Sequence, residues 1–234
     1  LRVLEPSAGI GNFMGLMPEG YNAQFLAVEL DPTTAAISNY LYPKARHLNN
    51  GFQNVELQGA RFDLVVGNPP FGKQTLYDPN FPELRNFSIH NYFLAKSLSL
   101  LRPGGIGAFV VSRFFMDAAD PTARAHIAES ADLLGAVRLP ETAFRQNALT
   151  DVTTDILFFR NDGPRIRSTD WVHTATVEAE DLKEGGTRPA VINKYFAALP
   201  GQIIGNMVYS GGMFQDALNC VASADIDLGQ EIEK

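Results

Sequence analysis

Among 234 residues there is a single cysteine, Cys220. One thiol cannot build a disulfide framework, and such scarcity fits a reducing compartment, which points to the cytoplasm. No apolar run approaches the roughly 20 residues that a membrane-spanning helix needs, and no secretory signal opens the chain. A basic excess is also missing: 19 Lys and Arg stand against 26 Asp and Glu, for a formal net charge of −7. A free-standing protein that grips nucleic acid through its phosphates needs the opposite balance. His47, His90, His126 and His173 are too scattered in sequence to suggest a metal site. Internal repeats and low-complexity tracts are absent. The chain is 45% hydrophobic and 19% charged, enough to bury a full core in one large domain, or one domain with a small appendage.

Apolar runs at residues 1–4, 25–28, 62–66, 106–111, 133–139 and 152–159 read as strands. Helical stretches lie among them. Residues 33–42 are entered through Asp31-Pro32, and residues 88–101 through Ser88, with Arg102-Pro103-Gly104-Gly105 closing the second. Residues 121–131 form a third, and the interval between the first two strands has room for a crossover helix. Strands alternating with helices imply parallel βαβ units and a three-layer, Rossmann-like α/β sheet. Residues 140–151 are too short and irregular for a crossover, so one antiparallel strand is expected, inserted at the sheet edge.

The turn cluster Asn161-Asp162-Gly163-Pro164 marks a boundary between a main domain, residues 1–162, and a small C-terminal extension, residues 163–234. In the extension, residues 171–177 read as a strand, residues 190–198 as a short helix, and the end is Gly-rich. The main domain carries a net charge of −3 and the extension −4, so the extension is a poor candidate for holding phosphates. The chain starts at Leu1 directly on a strand, without an initiator Met, and reads as a piece of a longer protein.

Two constellations carry chemistry. The first is Glu5-Pro6-Ser7-Ala8-Gly9-Ile10-Gly11-Asn12-Phe13, at a strand-to-helix turn. Gly9 and Gly11 let the backbone pass close to a ligand, and Glu29, closing the second strand, is placed to accept both ribose hydroxyls. Together they imply an adenosine-bearing cofactor. Met14 stands where a dinucleotide fingerprint has its third Gly, which favours a cofactor without a pyrophosphate. The plain alternative is an ordinary tight turn. The second constellation is Asn68-Pro69-Pro70-Phe71, directly after the strand at 62–66. The Asn68 amide oxygen and the Pro69 carbonyl can accept from an amino group. Pro70 stiffens the loop, and Phe71 offers a flat face for stacking. Such a loop would hold a planar amine with its lone pair free to attack. A Pro-rich turn is the bland reading, but the carboxyl end of a central strand is where open α/β sheets bind ligands.

With these residues in this order, the chain resembles the S-adenosylmethionine-dependent DNA methyltransferases of the adenine-N6 type. Cofactor loop, ribose acid and catalytic tetrapeptide follow one another as in the gamma arrangement of that family. The resemblance covers most of residues 1–162. Residues 90–105 look like the helix and strand entry that come next. Residues 139–144, leading to Asp151-Val152-Thr153-Thr154-Asp155, are similar to a late motif whose Phe also packs on the base. Asn193-Lys194-Tyr195-Phe196 is reminiscent of methylase domains within large helicase-like phage and plasmid proteins. The resemblance implies S-adenosylmethionine as cofactor, bound by Glu5, Pro6, Ser7, Gly9, Gly11, Glu29 and Gln53. It implies Asn68, Pro69, Pro70 and Phe71 as the catalytic loop, with Phe71 and Phe144 sandwiching an extruded base. It implies DNA as partner, with no metal and no membrane, in a restriction-modification context.

Three departures qualify what is implied. Gln53 stands where the family usually has a carboxylate for the cofactor's adenine amine. The family's covering segment before the first strand and its long target-recognition domain are not among these residues, so duplex affinity is expected to come from sequence beyond them. Two other readings follow: a methyltransferase acting on a protein glutamine or an RNA amine, or a degenerate, non-catalytic module of a larger DNA-processing protein. Arg113 and Arg145 lie near the active face and either meet phosphates or are simply solvated. Asp31 and Asp155 read as capping or surface residues, His90 as structural, and Phe158 and Trp171 as core.

Overall fold

Strand β1 (Arg2–Glu5) lies inside a seven-stranded sheet, which is why Val3 and Leu4 are wholly buried although the strand spans four residues. The computed structural model describes residues 1–144, 152–163, 169–210, 217–223 and 228–229. The other strands of the sheet are β2 (Gln24–Glu29), β3 (Arg46–Asn49), β4 (Phe62–Gly67), β5 (Leu101–Ser112), β6 (Ala131–Leu139) and β7 (Thr154–Asn161). Their order is β3-β2-β1-β4-β5-β7-β6. β1 pairs in parallel with β2 and β4, as do β2 with β3 and β4 with β5. β7 is inserted between β5 and β6, giving the sheet one antiparallel edge, as the short 140–151 connection implied. Arg145 and Asp151 lie outside the described residues.

The chain moves outward from β1 to β3, then returns to lay β4 on the other side of β1. The carboxyl ends of β1 and β4 therefore border a topological switch point, where an open sheet leaves a crevice for ligands. Glu5 ends one of these strands and Gly67 the other.

By internal contacts the chain forms two compact units. One comprises residues 1–110, 125–135 and 157–167; the other comprises residues 111–124, 136–156 and 168–234. They interleave along the sequence.

In the first unit, the expected crossover helix is one turn, α1 (Asn12–Gly15), since Gly15, Pro18 and Gly20 stop its growth. α2 (Pro32–Leu41) begins as the sequence suggests, with the Asp31 carboxylate accepting from the Thr34 amide at 2.7 Å and Pro32 in the first turn. α3 (Ile89–Ser99) is capped by Ser88 and buried on nearly every side. Gly11 precedes α1 at φ +90°, and a Cβ there would sit 2.7 Å from both the Met14 side chain and the Tyr42 ring. Gly11→Ala is expected to cost about 1–3 kcal/mol of stability by denaturant unfolding. Gly59→Ala, also left-handed at φ +74° but with open space for its Cβ, is expected to cost less.

The second unit contains α4 (Phe114–Asp117), α6 (Lys194–Ala198) and a four-stranded sheet ordered β11-β10-β8-β9; α5 (Thr122–Ala128) spans the division. Its strands are β8 (Thr174–Asp181), β9 (Thr187–Asn193), β10 (Asn206–Ser210) and β11 (Ala217–Val221). Several expectations change here. Trp171 is buried as expected, yet it lies in a 3-10 turn before β8 rather than in the strand. Residues 190–193 end β9, and the helix starts only at Lys194, because Asn193 caps it by accepting from the Tyr195 amide at 2.9 Å. Asp155 is neither a cap nor a surface residue. It is fully buried and paired with Arg138, which also takes both oxygens of Asp117 and lies 4.3 Å from the Phe196 ring centre. Phe158 is exposed, and its neighbours Leu157 and Phe159 face the core instead.

Candidate active site

A cleft of about 570 Å³ opens in the first unit at the carboxyl ends of the strands, within the range of roughly 300–1,000 Å³ usual for small-molecule sites. Both constellations reach it. Glu5, Pro6, Ser7 and Gly9 line it from the β1 loop, Glu29 from the end of β2, Gln53 from a 3-10 turn (Phe52–Asn54), and Asn68 and Pro70 from the β4 loop. The two loops are fastened together: the Ser7 hydroxyl donates to the Asn68 carbonyl at 3.0 Å. A Cβ on Gly67 would come within 3.3 Å of the Pro6 ring, so a glycine there lets the loops approach.

Glu29 organises the β1 loop. One carboxylate oxygen accepts the Gly9 amide at 2.8 Å and the other accepts the Asp31 amide at 2.9 Å. Gly9 holds φ +55°, and a Cβ there would project into open space rather than onto protein. Gln53 folds back toward Gly51: a Cβ there would meet the Gln53 amide at 2.5 Å and shift that flexible side chain from this position.

Glu5 is the unusual group. It is 1% exposed, and its Oε2 has no hydrogen-bond partner among the described residues. Burial first, then the nearby Glu29 carboxylate, pushes its pKa up to about 8. A buried acceptor without a donor costs stability, so its position on the wall of a cleft asks for a donor or cation from a ligand.

Four predicted residues do not line this wall, three of them in the first unit. Gly11 shapes the loop behind it, Pro69 is buried within the tetrapeptide, and Phe71 turns outward, 47% exposed. Phe71 meets His90 edge-on, with ring centroids 5.3 Å apart and an interplanar angle of 81°. Burial lowers the His90 pKa to about 4, so the ring holding Phe71 is a neutral imidazole at neutral pH. His90 thus supports the loop through this ring contact, and Phe71 stays partly exposed. Phe144 is half-buried in the turn after β6 and belongs to the second unit. Arg113 is not simply solvated: it pairs with Asp117 at 3.3 Å. Sequence reasoning missed Ile89 and Phe93, which line the cleft from one face of α3. Their i, i+4 spacing was visible, but it reads equally as core. Among the described residues, no cluster of His, Cys, Asp and Glu has the makings of a metal site.

The sequence model of the Eco57I restriction-modification methylases matches residues 24–144, just over half of the chain. The chain belongs to the Eco57I restriction-modification methylase family. The matched stretch takes in Glu29, Gln53 and Asn68 through Phe71. Among curated relatives, this family member is 27% identical over 183 residues to the defense against restriction protein B of Escherichia phage P1, covering 76% of this chain and 8% of that protein. It is 30% identical over 128 residues to the type II methyltransferase M.TthHB8I of Thermus thermophilus, covering 47% of this chain and 29% of that one. The chain thus spans less than a third of the length of either relative. In fold it is similar to a Vibrio vulnificus YJ016 protein assigned as the modification subunit of a type I restriction enzyme, with TM-score 0.60 at 18% identity, over 94% of this chain and 54% of that one. It also resembles the EcoKI M protein, with TM-score 0.53 at 19% identity, over 69% of this chain and 44% of that one. The architecture is that of the class I S-adenosylmethionine-dependent methyltransferases.

Proposed function

We propose that this methylase-family chain carries the catalytic site of an S-adenosylmethionine-dependent DNA methyltransferase of the gamma arrangement, acting on the N6 amine of adenine. The observation that carries the proposal is the cleft itself. An adenosine-type loop and an amine-binding loop meet over one cavity, with a buried carboxyl in its wall that has one oxygen unpartnered among the described residues. That carboxyl suits a cofactor bearing cationic groups, and the open space beside Gly9 suits close approach of a ligand to the backbone. The cofactor, when bound, supplies an electrophilic methyl group on a sulfonium.

The rest falls to residues of this chain. Gly9, Ser7 and Glu29 form the cofactor's cradle, with Glu29 sharing its carboxylate between backbone amides and the ribose hydroxyls. Gln53 accepts from the adenine amine without adding charge. The Asn68 side chain and the Pro69 carbonyl accept from the target amine and orient its lone pair. Asn68 is not a base, so the proton lost from the amine passes to water. Catalysis is then chiefly positioning of two reactants in line. Phe71, packed against His90, stacks on a base that has left the helix. All of these residues fall in 1–162, the proposed catalytic part, and residues 163–234 are an extension. DNA affinity is expected to rest on parts of a longer protein.

The test is incubation with methyl-labelled S-adenosylmethionine and unmethylated duplex DNA, RNA or protein extract, followed by nucleoside analysis. Label in N6-methyldeoxyadenosine is the expected result. Label in N4-methylcytosine would overturn the base assignment, and label confined to RNA or protein would overturn the substrate. Calorimetry that finds no cofactor binding would leave the non-catalytic module.

A further inference from the structure

Beneath the cleft lies a charged assembly that methyl transfer does not use. Lys96, on α3, has no exposed surface. Its ammonium donates to the Phe52 carbonyl at 2.6 Å, to the Val55 carbonyl at 3.4 Å and to the Asp78 carboxylate at 2.8 Å. The Tyr92 hydroxyl donates to the same Asp78 oxygen at 2.5 Å, and the other Asp78 oxygen accepts the Asn80 amide at 2.9 Å. The ammonium also lies 4.5 Å from the Phe52 ring centre and 5.1 Å from that of Phe81.

One cation therefore joins three segments that are distant in sequence. The first is the turn that presents Gln53 to the cleft. The second is the loop running on from the Asn68–Phe71 tetrapeptide, which places Leu76 on the cleft wall and is pinned to α3 where the Ile89 amide donates to the Gln74 carbonyl at 2.6 Å. The third is α3 itself.

Burying both charges is unfavourable, and apolar side chains of similar volume would hold the same segments together at least as firmly. Stability alone does not account for the pair. Apolar packing tolerates small slips, whereas an ammonium bonded to two carbonyls and a carboxylate fixes direction as well as distance.

We propose that Lys96, acting through Asp78, is a positioning residue that sets the Gln53 turn and the loop behind Phe71 in a single geometry, so that cofactor binding and target-amine placement are ordered together. The proposal rests on the reading of this cleft as a methyltransferase site.

The experiment compares the full chain with a K96M/D78L/Y92F variant, in which the assembly is replaced by apolar groups. Three quantities are read: thermal unfolding, calorimetric affinity for S-adenosylhomocysteine, and single-turnover methyl transfer at saturating S-adenosylmethionine. The expected result is an unfolding midpoint at or above that of the parent, with affinity and rate each reduced at least tenfold. A variant of parental stability that keeps parental affinity and rate overturns the proposal. Should the variant not fold, hydrogen exchange on the unaltered chain decides. S-adenosylhomocysteine is expected to protect residues 51–55 and 74–81 together, and protection confined to 51–55 overturns the coupling. If the unaltered chain neither binds S-adenosylhomocysteine nor transfers methyl, the methyltransferase reading itself fails and the proposal falls with it. If the chain does both and the variant matches it, only the positioning role is lost.

Discussion

Asn68→Ala is expected to lower methyl transfer by about a hundred- to a thousandfold while leaving cofactor affinity within about twofold. The asymmetry follows from how the residue is held. Asn68 is fixed through its backbone, whose carbonyl accepts from the Ser7 hydroxyl at 3.0 Å, and its side chain is exposed. Truncating that side chain therefore leaves loop and fold in place. What disappears is the acceptor that draws on the amine's N–H bonds and keeps its lone pair directed at the methyl group. A loss of this size matches removal of one preorganised polar group from a reacting centre. Pro69 and Pro70 remain to stiffen the loop, so the Glu5–Gly9 side of the cleft, the proposed cofactor side, is undisturbed. The measurement is single-turnover transfer to duplex DNA, with S-adenosylhomocysteine titrated into each protein by calorimetry. Turnover equal to that of the parent would sink the assigned role of Asn68. A parallel fall in cofactor affinity would show that Asn68 acts on the cofactor rather than on the amine.

What could be read in advance from this chain is what its chemistry encodes locally. Gly9, Gly11 and the Pro69-Pro70 pair punctuate the ends of apolar strands, and each lies at the loop where its backbone constraint is needed. Strand–helix alternation carried the parallel sheet class and its antiparallel edge, but not β3, whose Arg46–Asn49 is too polar and short to read as a strand; the switch point between β1 and β4 follows from the observed sheet order. Short tail elements were harder. Ala190 and Ile192 are buried while Val191 is exposed, a period of two that marks β9, but a run that brief also fits one face of a short helix. Phe158 failed for the same reason: in an alternating strand, one aromatic of Phe158 and Phe159 must face outward, and the sequence does not say which. Polar assemblies were the least legible. Lys96 sits in a largely buried helix, its partner lies 18 residues earlier in a loop, and nothing local joins them. Arg138 likewise meets Asp117 and Asp155 through folding alone.

S-adenosylmethionine affinity is expected to rise by at least about tenfold between pH 6.5 and 8.5 and then level off, with Glu5 as the group responsible. In the free protein, burial and the Glu29 carboxylate hold the Glu5 pKa at about 8, so near neutrality it is mostly a neutral acid. A cation placed against its unpartnered oxygen favours the carboxylate, so binding must expel a proton. Below pH 8 that expulsion opposes binding, by up to tenfold per pH unit, and above pH 8 it does not. Calorimetry at pH 7 in two buffers of different ionisation enthalpy is expected to show close to one proton released. The same shift has the opposite sign for stability without cofactor. The native pKa of about 8 lies above the ordinary value of 4.5, so the native state holds a proton the unfolded chain has lost. Glu5 therefore contributes fully below pH 4.5, and its contribution falls on the order of a few kcal/mol as pH rises to 8, with no further loss above. Glu5→Gln, uncharged at every pH, removes both dependences at once. The variant is expected to be more stable than the parent at pH 8, to bind S-adenosylmethionine more weakly there, and to show a flat affinity profile from pH 6.5 to 8.5. Proton uptake on binding, or a parental profile that is already flat, would remove Glu5 from the cofactor site and leave its buried oxygen without a ligand to explain it.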